Sequence, residues 1–392
     1  MPDPVVAAML YRFRVLRDAA GLSPEELDER LILGPGWVRR FESGEVIPGL
    51  DVLVVMLAAL RKDVGDLIEG VIDGLEPDGA TAAAVDRFVS AQEVGGNLEI
   101  RFRYAAHDAV YRLPGAKLEE YEEVVKVLRD GLARLVSGDS DERAVKTDAV
   151  ARTFLRAVQL WPRANPSDLW WFLVMRAFND PFNHPAAFAR LDFGQSWKRT
   201  GGWALEEVLI RLYGPALREH GIRLFVATME ERRRYLRELA VADRLEAAKM
   251  DVLLVGQDRG RERCFGVVHV KSSFAERRTD DVPMSKALVD GGYCSPLWTL
   301  DCKSGPGAEP RNQGELGKPK AATGPDRRSA KRKDIEDDGY FSACFSYNAR
   351  THETPADQDA RGRVIVCDFR DPSDDAFTRF IRSEWGRFTT PR

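Results

Sequence analysis

No stretch of this sequence stays apolar for the ~20 residues that a membrane-spanning helix requires. The longest such run, Leu50–Leu60, is broken by Asp51. Cysteine is scarce: five residues, at 264, 294, 302, 344 and 367, with no CxxC pair. That argues against a zinc ribbon and for reduced thiols in a cytoplasm. The five histidines form no spaced cluster, so zinc is not expected and packed or surface roles are. Glycine loops of the GxGxxG or Walker type are missing, and no nucleotide cofactor is expected. The opening MPDPVVAAML has no basic segment ahead of an apolar core, so no secretory signal is expected. A dominant charge is lacking too, with 58 Lys and Arg against 62 Asp and Glu. A nucleic-acid partner would have to be met by local basic patches.

What is present divides into three parts. Residues 1–72 carry helical apolar spacing, with Leu10, Phe13, Leu16 and Ala20 on one face and Gly21 as a stop. Ser23-Pro24-Glu25-Glu26 is a capping box with proline at the first helical position. The Gly/Pro/Asp-rich stretch 73–79 reads as a linker. Residues 80–145 predict a small helix–hairpin–helix connecting unit, its hairpin at 98–104 and 109–113. Residues 146–392 predict an α/β or α+β domain. Its helices are expected at 148–160, 167–178 and 202–220, and its buried strands at 251–255, 265–270, 298–302, 341–347 and 363–368. Trp170, Trp171 and Trp197 are expected to fill its core. Within it, residues 303–333 hold nine Lys/Arg against three Asp/Glu and many Gly and Pro. They read as a mobile basic loop, either solvated or touching DNA.

The first part resembles the Cro/C1-type helix-turn-helix family, through Leu16, Ala20, Gly21-Leu22-Ser23, Leu27, Leu31, Val38, Phe41-Glu42-Ser43-Gly44, Pro48 and Leu53. The resemblance implies that Leu27, Leu31, Val38 and Phe41 pack two motif helices, with Gly44 ending the second. Gly34-Pro35-Gly36 replaces the polar residues that would read bases, whereas Arg39 and Arg40 can reach phosphate. A helical bundle used for dimerisation or domain packing is the competing reading.

In MDVLLVGQDRGRERCFGVVHVKSS, Asp251 heads one apolar strand and Lys271 ends the next, with nineteen residues between them. Adjacent strands would bring a carboxylate and an ammonium to one sheet edge. Such a pair suits phosphodiester hydrolysis with Mg²⁺, although the same spacing also serves a plain solvated hairpin. Together with GQSWKRTGGWALEEVLIRLYG upstream and KSSFAERRTDDVP and SPLWTLDCKSGP downstream, the segment resembles type II restriction endonucleases of the PD-(D/E)XK superfamily. The nearest likeness is to the BsaWI-type and CCGG-family enzymes. That resemblance implies Asp251 as metal-binding aspartate, Lys271 as catalytic lysine, and Glu206 as the helix glutamate supporting the metal. His269 stands where the superfamily has an acid. A helix is therefore expected to supply that acid, as Asp280 or Asp281 (Asp281 preferred, Glu276 in reserve), with His269 pointing elsewhere. Glu276 and Arg277 fall on the segment that reads CC:GG, and Arg278 could contact phosphate. The chemistry agrees, since arginine donates twice to guanine and glutamate accepts from cytosine.

The expectation is a multidomain chain, an all-α helix-turn-helix bundle followed by an α/β restriction-endonuclease-like core. It would be a Mg²⁺-dependent homodimer cutting double-stranded DNA at a short GC-rich site. The alternative is a helix-turn-helix transcriptional regulator whose nuclease-like half is inactive and serves dimerisation or sensing.

Overall fold

A computed structural model describes residues 4–31, 34–67, 88–104, 107–137, 141–185, 193–241, 249–273, 278–302, 311–321, 323 and 325–390. Two compact units emerge, Met1–Asp86 and Arg87–Arg392.

The smaller unit contains α1 (Pro4–Ala19), α2 (Pro24–Arg30), α3 (Trp37–Glu42) and α4 (Leu50–Ala59). Ser23 caps α2 as expected: its Oγ accepts from the Glu26 amide, and the Glu26 carboxylate accepts from the Ser23 amide. Leu27, Val38 and Phe41 are buried together with Phe13, Met56 and Leu57, and Leu31 packs at their margin. An ion pair, Arg17–Glu42 at 2.7 Å, ties the end of α1 to the end of α3 with both side chains buried. Gly44 takes φ +79° just past α3, the left-handed turn that frees the chain from the helix.

In the larger unit, β1 (Val89–Val94), β2 (Asn97–Tyr104) and β3 (His107–Pro114) form an antiparallel meander. The expected hairpin is therefore the second half of a three-stranded sheet. This sheet and α5 (Leu118–Ala133) do not stand apart as a connecting unit. Leu98, Ile100 and Leu128 belong to the same buried cluster as Trp170, Leu205 and Phe345. Phe172, on a π-helical turn (Leu169–Val174), stacks on Phe102 at 5.0 Å. The helix α6 (Glu142–Leu160) crosses α5 where Gly131 meets Ala149, too closely for a side chain at 131.

The main sheet has the order β4-β5-β6-β7-β8-β9. Its strands are Ile222–Phe225, Val252–Asp258, Arg261–Lys271, Leu297–Thr299, Cys344–Ser346 and Val364–Val366. The first three pair antiparallel and the last four, from β6 onward, parallel. The long helix α7 (Phe193–Glu219) covers one face, and α8 (Met229–Glu238) and α9 (Arg278–Asp290) pack on the other. Trp170 is fully buried and Trp197 nearly so, as expected of core residues, while Trp171 is half-buried.

The described part of the basic segment is not a mobile loop. Arg332, on α10 (Ala330–Glu336), is fully buried and donates to Glu336 and to the Gly317 and His352 carbonyls. Arg328 binds Asp326, Glu336 and Asp337. Leu316 is buried with Ile335 and Phe341. Composition misled here because the cations neutralise carboxylates that lie just beyond the segment or within it.

Candidate active site

Three strands end at one edge of the main sheet. β5 and β6 pair with Val252 opposite Val268, which sets Asp251 opposite His269 one position further on. Lys271, two residues beyond His269, projects from the same side of the sheet. The Asp251 carboxylate accepts from the Val270 amide at 2.9 Å and from Lys271 Nζ at 2.7 Å. Both side chains are largely withdrawn from solvent.

The third member comes from α9. Asp281, Met284, Ser285 and Leu288 occupy one helical face, and all are buried. Met284 and Leu288 pack on Leu253 and Val267 of the sheet. The same face therefore aims Asp281 at the strand ends, where its Oδ1 lies 3.3 Å from Lys271 Nζ. Of the expected helix acids, Asp281 is thus at the pair. Asp280 lies on the same helix.

His269 does not point elsewhere. It is fully buried, and its Nδ1 lies 3.9 Å from Asp281 Oδ1. Its Nε2 meets Ser295 Oγ at 3.1 Å, and Ser295 Oγ meets Ser285 Oγ at 2.7 Å. One ligand atom each from Asp251, His269 and Asp281 falls within 4.8 Å of the others. Burial pushes the His269 imidazole down to about 4, with Asp251 opposing and Lys271 reinforcing, so it is neutral at pH 7. The sequence signal for this histidine was the period of two that puts residues 269 and 271 on one side of a strand.

Glu206 sits in mid-α7, just over one turn after the Gly201-Gly202 pair, and faces the Asp251 charge. Burial first, and the Asp251 carboxylate second, push its pKa up to about 8, while Lys271 pulls it down. It lines a groove of about 420 Å³ with Trp203 and Arg143, whose guanidinium lies 4.1 Å above the Trp203 ring.

Loops beyond β7 and β8 are fastened at the same edge. Asp301 accepts from the Glu315 amide at 2.6 Å and from Thr351 Oγ1 at 2.8 Å. Asn348 donates to the Asp301 and Asn312 carbonyls, and Arg350 pairs with buried Asp168 at 2.7 Å. Burial raises the Asp301 carboxyl to about 6. Segment 311–317 is thereby fastened beyond the C-terminal ends of β7 and β8.

Glu276 and Arg277 lie outside the described residues, and Arg278 opens α9. In the smaller unit Arg39 and Arg40 are exposed on α3, with Arg39 bonded to Glu25 at 2.5 Å. Asp28 accepts from the Gly36 and Val38 amides, so the α3 N-terminus is already satisfied.

Comparison with known proteins agrees with both halves. Residues 11–69 match a family model described as a helix-turn-helix domain. Over 248 residues the chain is 39% identical to the type II restriction enzyme AgeI of Thalassovita gelatinovora, spanning 60% of this chain and 82% of that protein. The crystal structure of the specific AgeI–DNA complex aligns at 32% identity with a TM-score of 0.62, covering 73% of this chain and 99% of that one. The pre-specific BsaWI–DNA complex aligns at 16% identity with a TM-score of 0.33, over 69% and 93%. An inactive regulator is not favoured by these likenesses: the chain belongs to the type II restriction endonucleases.

Proposed function

We propose that this enzyme hydrolyses double-stranded DNA at a short GC-rich site containing CCGG, using Mg²⁺ held by Asp251 and Asp281, with Glu206 supporting the ion. One observation carries the reading: Asp251, Asp281 and Lys271 meet at a sheet edge, with Lys271 Nζ 2.7 and 3.3 Å from the two carboxylates. Buried carboxylate oxygens are the donors that suit a hard divalent cation, and here Asp251 and Asp281 present theirs within 4.8 Å of each other. The donor set fits. When bound, such an ion supplies Lewis acidity toward a phosphoryl oxygen and a more acidic water.

The side chains do the rest. Lys271, fixed by Asp251, keeps its ammonium where negative charge grows on the phosphate as water adds and the P–O bond breaks. Glu206, protonated below about pH 8 in the free protein, gives up that proton to become a second-line carboxylate. Glu276 and Arg277 read the central C and G, Arg278 contacts phosphate, and Arg39 and Arg40 of the helix-turn-helix add phosphate contacts without base readout. A homodimer in the cytoplasm would set two such sites on a palindrome. Incubating the protein with plasmid DNA and Mg²⁺, then sequencing the ends, tests the reading. Discrete fragments with one common end sequence support it, and intact plasmid refutes it.

A further inference from the structure

We propose that His269 is a nitrogen ligand of the cation site, so that this centre favours a borderline ion such as Co²⁺ over Mg²⁺. The inference rests on the reading of Asp251 and Asp281 as metal carboxylates.

The hydrogen-bond chain behind the imidazole sets its tautomer. Ser285 Oγ–H donates to the Ser295 carbonyl at 3.3 Å. Ser285 oxygen is then left to accept from Ser295 Oγ–H at 2.7 Å, and Ser295 oxygen to accept from His269 Nε2–H at 3.1 Å. Every proton in this chain is assigned, and the Nδ1 lone pair is left over. Nδ1 is fully buried and, among the described residues, has no hydrogen-bond partner.

Nδ1 faces Asp281 Oδ1 across 3.9 Å. Asp281 Oδ1 is also met by Lys271 Nζ at 3.3 Å, whereas a cation between Asp281 and the imidazole would give Nδ1 the partner it lacks. The gap is too long for a hydrogen bond, yet two metal–ligand bonds of roughly 2.1 Å each can span it. The third corner, Asp251, is within the same 4.8 Å. Where an acid would make the set all-oxygen and hard, an imidazole makes it mixed. Imidazole nitrogen suits first-row transition ions, and affinity at such a site rises from Mn²⁺ toward Co²⁺ and Ni²⁺.

Calorimetric titration of the full-length, DNA-free protein with Co²⁺, Mn²⁺ and Mg²⁺ tests this, with the visible spectrum of Co²⁺ as a ligand-sensitive signal. Wild type should bind Co²⁺ ahead of Mg²⁺. H269Q should lose roughly tenfold or more in Co²⁺ affinity and shift the Co²⁺ bands, with Mg²⁺ affinity nearly unchanged. D251N should lose all three ions. Unchanged Co²⁺ affinity and spectrum in H269Q, with D251N still defective, would overturn the histidine inference alone. Ion binding untouched by D251N would overturn the carboxylate reading beneath it. If H269Q fails to fold, the wild-type protein decides: with ¹⁵N-labelled histidine, Mn²⁺ should broaden the His269 ring resonances first. Resonances unaffected at saturating Mn²⁺ refute the proposal.

Discussion

Removing the Lys271 ammonium should expose a conflict that the folded protein otherwise hides. In K271M, Asp251 and Asp281 keep their places but lose the cation that lies 2.7 and 3.3 Å from them. Their oxygens approach within 4.8 Å, and two unit charges at that range repel by ~3.5 kcal/mol at an effective dielectric of 20. Asp281 is 2% exposed, so water cannot relieve it, and the cost falls at the lower end of the ~3–5 kcal/mol seen when buried pairs are broken. At about 2 °C per kcal/mol for a chain of this size, the melting temperature of the larger unit should fall by roughly 6–8 °C. Ca²⁺ should reverse most of that fall, because an ion at a hundred times its dissociation constant adds about 2.7 kcal/mol. Wild type should gain less from Ca²⁺, since the ammonium must first be displaced. Thermal melts at pH 7.5 with and without Ca²⁺ read this difference directly, and single-turnover cleavage in Mg²⁺ should be abolished. An equal Tm deficit with and without Ca²⁺ would show instead that Lys271 is a packing residue.

Three other outcomes are expected. Because the folded Glu206 pKa is raised to about 8, its contribution to apo stability is present below the ordinary carboxylate range and lost as pH rises toward 8. Divalent-ion affinity should therefore climb over the same window as a proton is released, and E206Q should flatten that climb in titrations at several pH values. R332M should lower stability by ~3 kcal/mol or more, since it strips a fully buried Glu336 of one partner; a melt unchanged from wild type would restore the picture of a loose basic loop. R277A should lose ~1–3 kcal/mol of discrimination at the GC core, whereas the double variant R39A/R40A should weaken cognate and scrambled duplexes alike and reduce the salt slope. Filter binding at two salt concentrations separates the two.

The strands and the helix-turn-helix were legible because each has a strong local signature. Apolar runs at 252–255 and 265–270 bounded by charge read as buried strands, and Ser23-Pro24-Glu25-Glu26 names its own helix start. β1 and β4 were not legible: VSAQEV is half polar, and IRLF is four residues at a sheet edge. The division of residues 80–392 into two parts failed for a related reason. The meander closes its core against the π-helical turn around Phe172 as well as against α5, and the first contact is one no local pattern records. At the site, Asp251 and Lys271 followed from strand pairing, and Asp281 needed the helical face it shares with Met284 and Leu288. His269 was visible as the residue two before Lys271. Its role was not, because the Ser295–Ser285 chain that orients it comes from another helix and another loop.

Asp281 is the most exacting member of the site, since a helix rather than the catalytic strand delivers it. Single-turnover cleavage of a CCGG-containing duplex by D281N, with duplex binding measured in parallel in Ca²⁺, shows whether the helix carboxylate serves the reaction. Cleavage should fall by several orders of magnitude, with folding intact and duplex binding largely retained. Cleavage by D281N at the wild-type rate would contradict that role.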